Sequence, residues 1–493
     1  MNGAERLVVS DKLGVTLDRL RKLLADTCDL KICEADLHGV RVAAAAIEGM
    51  ASPQLLADAV FSPLRLLSAG AGSPREVFDI LSRSTLLTAD RQVVSDLDEI
   101  SLLLFSGFAA VFVDGIAEAA AFGVQGYERK SVGEPSSEHN IMGSQEGFCE
   151  SIKTNVSLVR RRLRTPKLRF ESINVGELTQ TEVCIAYIRG RAPSGLAADI
   201  KRRLTDTGLD TLLASGSLRP LLEKNEKVGL FSEISATERP DVVCSRLCEG
   251  RAAVLADGSP FALIVPSLFA ESFRTVDDAC SKPYFVLLMR MIRFIAFFFA
   301  VMFPGLYVAA ANYHPEMLTL KLLLNLTASE RSTPYSLFVE MLIITVLLEL
   351  MKEASVRMPK AVGSAISIAG GLVIGDAAVK SGIISSPLLI IVGLTATASF
   401  VIPSLSQQSS ALRLCYIVAG GAAGFFGIAV VSGMIMTNAA SLEYCGAAYT
   451  APLLPFSKKA AGDIFIRRST RSLARTHTSL SGIASAGEGT DND

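Results

Sequence analysis

The sequence predicts a multi-domain chain: two N-terminal α/β subdomains related by an internal repeat, then an all-α polytopic membrane domain of about four to six segments. Three observations carry this expectation. Acidic and basic residues are dense through residue 282 and become sparse over the following 170 positions. Phe294 to Ala311 is then a run of eighteen residues without a formal charge, long enough to enter a hydrocarbon core ~30 Å thick. Finally, Gly107–Gly115 (GFAAVFVDG) returns 143 positions later as Gly250–Gly258 (GRAAVLADG).

Each copy of that motif follows a stretch compatible with a helix and precedes a second apolar run, Ala117–Val124 or Pro260–Pro266. Asp-Gly between two β-prone runs is a strong hairpin signal, because glycine accepts the positive φ of a tight primed turn. The shared unit is therefore helix, strand, Asp-Gly turn, strand. It places one subdomain in residues 1–132 and the other in 146–282. Between them, 133–145 reads as a linker, within the Gly-, Pro- and Ser-rich stretch Glu128–Gln145.

The second subdomain opens on Glu146–Arg164, where Phe148, Ile152, Val156 and Val159 recur at helical spacing. Arg160, Arg161, Arg162 and Arg164 crowd its end, where cations meet unpaired carbonyls. A solvated, charged helix end is the expectation, with acidic lipid or a partner subunit as the alternative. Leu168–Asn174 and Thr181–Arg189 read as strands, and Ala197–Ala214 as a helix.

The membrane block, 283–456, opens with a span over Pro283–Ala311 that carries Arg290 and Arg293 at its start. Asn312–Pro334 reads as an amphipathic surface helix. Tyr335–Met351 is the next span, and the basic Lys352–Lys360 should face the cytoplasm. Ala361–Val379, Ile383–Ile402 and Leu412–Thr437 follow. Five segments cannot leave both ends on one side, so the short, Gly-rich Ala361–Gly375 reads as a re-entrant half-span covered by protein or water. Six crossings are the alternative. The tail 457–493 is basic and also reads as cytoplasmic.

Charges that persist inside the apolar block are candidates for function, because a carboxylate in lipid costs ~2.5–3.5 kcal/mol on insertion scales. These are Glu340, Glu349, Glu353 and Asp376. Thr345, Glu349 and Glu353 are four apart and share a helix face. Such a row suits a cation path, particularly in a symmetric ring. Lys352 and Arg357 stand three and four residues beyond the two later glutamates, so structural ion pairs are an equal alternative. Gly371 with Gly375, and Gly420 with Gly424 and Gly427, are candidate helix-packing positions.

Other classes find little support. A net charge of −1 offers no sustained basic field for nucleic acid. The first forty residues contain no apolar signal core, which predicts a cytoplasmic N-terminal region. None of the nine cysteines forms a CxxC pair, and the four histidines are not spaced as ligands. Cys244 and Cys248 could meet on a helix, but reduced, buried thiols are the expectation. No nucleophile elbow, phosphate loop or dinucleotide fingerprint occurs, so neither catalytic residues nor a cofactor nor a metal is expected.

From about Glu99 onward the chain resembles the A subunit of the GerA-type spore germinant receptors. The resemblance rests on long motifs: FVDGIAEA (112–119), YERKSVGEP (127–135), EGFCESIKTNVSLVRRRLRTPKL (146–168), VCIAYIRG (183–190), YHPEM (313–317), the run 330–379 and TATASFVIP (395–403). It implies a nutrient-sensing subunit of the spore inner membrane. Such a subunit works with a transporter-like B subunit and a lipoprotein C subunit. It also implies a homo-oligomer, a pentamer in the proposed form, around a cation channel. The chain departs from the family pattern at Thr345 (a second Glu), Ser355 (Gly) and Asp376 (Gln). A non-channel scaffold subunit and an accessory paralogue that senses no nutrient share this architecture. A secondary transporter would show inverted repeats in the membrane block, and the sequence shows none.

Overall fold

The computed structural model describes residues 7–25, 27–67, 73–83, 90–126, 143–223, 229–330, 333–357 and 377–454. Its N-terminal part contains the same fold twice. The first copy runs α1 (Leu13–Leu24), β1 (Leu30–Leu37), β2 (Val40–Ile47), α2 (Pro74–Arg83), β3 (Arg91–Val94), α3 (Leu97–Leu104), β4 (Phe108–Val113) and β5 (Ala119–Gly123). The second runs α4 (Ile152–Arg162), β6 (Leu168–Val175), β7 (Thr181–Ile188), α5 (Leu196–Thr205), β8 (Ser235–Thr237), α6 (Pro240–Cys248), β9 (Ala252–Ala256) and β10 (Ala262–Val265). The strand orders, β1-β2-β4-β5-β3 and β6-β7-β9-β10-β8, correspond strand for strand. All pairings within both sheets are antiparallel.

The central strands β4 and β9 are buried at every residue, because helices cover both faces of each sheet. In the first copy α1 and α3 seal one face and α2 the other. In the second, α4 and α6 oppose α5. Burying such an apolar run releases ~25 cal/mol per Å², so the alternation of a half-exposed strand is absent.

The Asp-Gly turns differ from expectation in length. Residues 114–118 and 257–261 form five-residue loops instead of two-residue turns, with φ +88° at Gly115 and +76° at Gly258. The aspartates have a second use that demands the longer loop. Asp114 Oδ1 accepts from Leu13 N (2.9 Å) and Asp257 Oδ1 from Ile152 N (3.0 Å). Each therefore satisfies an orphan donor at the first residue of its copy's leading helix.

Two helices are shorter than expected. Residues 146–151 are not helical, and α4 begins at Ile152, where Asp257 caps it. The helix expected over Ala197–Ala214 ends at Thr205, ahead of Gly208 at φ +56°. The arginine cluster is corrected more substantially. Arg160 is fully buried against Asp29 of the first copy, with Nε–Oδ2 at 2.8 Å and Nη2–Oδ1 at 2.9 Å. Its guanidinium lies between the rings of Phe105 and Phe170. Arg161 and Arg162 both reach Glu146 at 2.6 Å. A neighbouring copy, invisible in the local sequence, replaces solvent at that helix end.

Beyond residue 282 the described structure is mainly helical: α7 (Pro283–Val301), α8 (Phe303–Tyr313), α9 (Leu320–Glu330), α10 (Leu337–Arg357), α11 (Ser386–Phe400) and α12 (Ser406–Ser441). By length and composition, Pro283–Val301 and Pro403–Ser441 are apolar and long enough to cross a membrane. The span expected over Pro283–Ala311 breaks at Met302, just ahead of Pro304. Proline lacks the N–H that would bond Ala300 O. Arg413 Nε donates to that carbonyl instead, at 2.8 Å.

The span expected over Leu412–Thr437 is a helical hairpin. Sixteen residues of straight helix rise ~24 Å, yet the hydroxyls of Tyr416 and Ser432 are 2.9 Å apart. The fold-back lies at Ala423 and Gly424, whose φ/ψ leave the helical region (−138°/16° and 58°/−143°). The Tyr313 hydroxyl, 2.9 Å from the carbonyls of both Gly421 and Ala422, donates to the acceptors freed there. The half-span Ala361–Gly375, the linker over 133–142 and the tail 457–493 lie outside the described residues.

Candidate functional site

The helices beyond 282 converge on α12. Glycines set the closest approach: a Cβ on Gly305 would strike the backbone of Tyr416, and one on Gly420 the backbone of Gly305. A side chain on Gly424 would meet the Tyr313 ring and one on Gly421 the Phe338 ring. Gly427 packs against Ala419 across the hairpin. Gly371 and Gly375 lie outside the described residues.

The helix face of Thr345, Glu349 and Glu353 grades from buried to exposed along α10. Thr345 is buried, Glu349 is 26% exposed and Glu353 62%. Glu349 Oε1 accepts from Lys352 and from Arg413, both at 3.1 Å. Glu353 pairs with Arg357 at 2.6 Å. Arg413 itself is buried, held by Ala300 O and Glu349. Sequence reasoning did not single out this arginine, although it is the one cation between Lys380 and Lys458.

Glu340 lies elsewhere and has no exposed surface. Its Oε2 accepts from Ser385 N, the cap of α11, at 3.0 Å. Leu337, Met341, Ile344, Ile384 and Leu388 belong to the surrounding apolar cluster. The structure thus separates Glu340 from the Glu349 group, and Asp376 lies outside the described residues.

Both ends of this helical block are fixed to the second α/β copy. At its start, Asp278 sits 3.0 Å from both Arg290 and Arg293 of α7. Burial raises the Asp278 carboxyl, but the Arg290 hydrogen bond and the Arg293 charge hold it below the usual range. Phe273 stacks on Phe294 at 4.0 Å, and Phe269 meets Phe297 edge-on at 5.8 Å. At the far end a two-stranded hairpin, β11 (Glu443–Tyr444) with β12 (Ala447–Ala448), leaves α12. Tyr444 enters the core of the second copy under Arg203. Tyr449 joins Phe231 and Phe269, and its N–H and the Phe269 N–H tie the strap to Leu442 O and Tyr449 O. This strap had no sequence signal beyond two tyrosines just past the last apolar run.

The two α/β copies are themselves joined across a buried seam. Besides Asp29–Arg160, Cys28 N donates to Phe170 O (3.1 Å) and Lys153 pairs with Glu48 at 2.8 Å. Within the second copy, Arg251 is buried between Glu249 and Glu271. Burial pushes Arg251 down to about 9, while Arg246 and Arg251, against the effect of burial, pull Glu249 to about 2. Among the described residues, no group of three or more His, Cys, Asp or Glu side chains is placed to hold a metal ion.

Residues 18–478 match the family model described as Bacillus/Clostridium GerA spore germination protein. Spore germination protein KA of Bacillus subtilis (strain 168) is 35% identical over 466 residues, covering 94% of this chain and 85% of that protein. Spore germination protein B1 of the same strain is 32% identical over 474 residues, 95% of this chain and 97% of that one. Spore germination protein GerLA of Bacillus cereus is 34% identical over 366 residues, 74% of each. The crystal structure of the N-terminal domain of the A subunit of the Bacillus megaterium spore germinant receptor GerK3 aligns with a TM-score of 0.42 and 28% identity. That alignment covers 54% of this chain and 99% of that one.

Proposed function

This chain belongs to the Bacillus/Clostridium GerA spore germination protein family, and we propose that it is the A-type subunit of a germinant receptor that passes a signal between its soluble repeat and an ion-conducting membrane bundle. In this reading it sits in the spore inner membrane with its soluble part cytoplasmic. It assembles with further copies of itself, the pentamer being the leading stoichiometry, and with a transporter-like B subunit and a lipoprotein C subunit. Opening of the assembly releases monovalent cations.

The observation that carries the reading is the double attachment of the membrane block to one α/β copy. The Asp278 clamp holds its entrance and the Tyr444–Tyr449 strap its exit. A rotation of that copy therefore moves α7 and the second limb of α12 together, and a signal needs only to favour one of two such arrangements. Both attachments lie on one side, which supports an even number of crossings. The limbs 406–422 and 425–441 each supply ~26 Å of helix, near the ~30 Å of a hydrocarbon core.

Spores in which this subunit carries Tyr444→Ala test the proposal. Loss of germinant-triggered cation release, with the subunit still present at its normal level in the membrane, is the expected result. Unchanged release would overturn the coupling. A second reading, a scaffold subunit without a pore, is favoured by the ion pairing of Glu349 and Glu353. It predicts no ion flux from liposomes that contain this subunit alone.

A further inference from the structure

Two thiols, Cys28 and Cys184, meet across the seam between the α/β copies, in opposite surroundings. Cys184 of β7 is buried in the core of the second copy. Cys28 is only partly buried; it packs against that core and also lines an open cavity of about 590 Å³ in the first copy. That volume falls within the ~300–1,000 Å³ of small-molecule sites. Arg21 and Lys31 stand on the cavity wall against one carboxylate, Glu48, and Ala44, Ala46 and Leu56 give it an apolar surface. Lys31 and Lys153 share Glu48 (3.2 and 2.8 Å), whereas Arg21 has only the exposed Asp18 at 3.8 Å. Cys33 lines the same cavity and is the more exposed thiol.

The Cys28 backbone is held, since its N–H donates to Phe170 O at 3.1 Å and its neighbours Thr27 and Asp29 both accept from Arg160. A hydrogen bond from Cys184 lowers the Cys28 thiol from its ordinary value, against burial and the charges of Asp29 and Glu182, and Lys31 adds to the lowering. The same hydrogen bond and burial hold Cys184 well above that value. One thiol is thus the donor and the other the anion, and a thiolate beside cations in an open cavity is the setting of a reactive cysteine. We propose that Cys28 is a site of thiol–disulfide exchange with a low-molecular-weight anionic disulfide, whose negative groups meet Arg21 and Lys31. The Cys28 proton goes to water and its thiolate attacks one sulfur of that disulfide. The bond to Cys28 forms as the original S–S bond breaks. One half of the reagent leaves as a thiolate, reduced, while Cys28 is oxidised to the mixed disulfide. The adduct lies between the two residues that hold Arg160, so the modification acts where the copies meet. The site does not depend on the membrane reading above.

Peptide mass spectrometry of the reduced full chain in detergent, exposed to oxidised glutathione and quenched with iodoacetamide, tests this directly. Cys28 should gain the adduct about tenfold faster than Cys33, although Cys33 is the more exposed. Cystamine, a cationic disulfide, should react at Cys28 more slowly than oxidised glutathione does. Replacing both wall cations, Arg21→Ala with Lys31→Ala, should remove that preference. Cys184→Ala should slow the reaction, and Cys184→Ser, which keeps a donor, should restore it. If neither variant at 184 folds, the comparison of the two disulfides decides. Labelling that follows exposure, with Cys33 ahead of Cys28, overturns the site. Cystamine matching oxidised glutathione at Cys28 in the native chain overturns it equally. Dithiothreitol should return free Cys28, and an adduct that resists it would contradict the exchange chemistry.

Discussion

The two α/β copies share a strand order and a helix cap, yet one arginine has opposite fates in them. Leu13 and Ile152 are equivalent, since each receives the aspartate of its own Asp-Gly loop. Counting from them, Arg21 of α1 corresponds to Arg160 of α4. Arg21 is 45% exposed and 3.8 Å from Asp18, whereas Arg160 is sealed against Asp29. The cap is set by the local fold, so it repeats. The burial is set by what lies next door, so it does not. Arg160 lies where the second copy meets the first, and its equivalent in the first copy faces solvent.

The largest expected effect breaks that contrast at its sharpest point. Arg160→Ala leaves Asp29 buried without its partner and should destabilise the chain by ~3–5 kcal/mol. Arg21→Ala should remain within ~0.5 kcal/mol. Chemical unfolding of the full chain in detergent measures both, and equal losses would dissolve the distinction. Next comes the helical block, where Gly420→Leu forces a side chain into the Gly305 backbone. A loss of ~1–3 kcal/mol is expected, while Gly433→Leu, at a glycine with open space around it, should be nearly neutral by the same assay.

A smaller and matched pair tests the shared half of the comparison. Asp114→Ala and Asp257→Ala each remove a helix-terminal acceptor and should cost ~0.5–2 kcal/mol, alike to within error. A large imbalance would show that the loops are not equivalent. The smallest expected effect is the pH response, which falls mainly on the second copy; in the first, Glu48 is held low at the seam against burial by Lys153 and Lys31. Glu249, pulled to about 2, and Asp278, held low by Arg290 and Arg293, both lie with the second copy. Their folded values lie below their unfolded ones, so they add stability above about pH 4.5 that is lost as pH falls towards 2. Hydrogen exchange at graded pH should show α6 and the α7 joint opening before β4 and β5.

The sequence carried the repeated α/β core because it is a local pattern of hydropathy and turn residues. It missed the strap, since Tyr444 and Tyr449 have no periodicity around them. Arg413 was missed for a related reason: a single cation in an apolar run reads as an interruption until Pro304 is seen to leave Ala300 O without its donor. The hairpin in α12 was unreadable because an apolar stretch with small residues has the same composition straight or folded. Glu349 and Glu353 were legible as ion-pair candidates from spacing alone, whereas the isolation of Glu340 required the position of Ser385. Asp376, Gly371 and Gly375 lie beyond the described residues, and their assigned roles are proposals.

Cation flux from liposomes reconstituted with the full chain bears most directly on the central proposal, that a conducting helical bundle is held at both of its ends by the second α/β copy. The account predicts potassium efflux above that of protein-free liposomes, altered when Tyr444→Ala releases the strap. A folded, membrane-inserted, self-associated chain that passes no ions, with or without the strap, would contradict it.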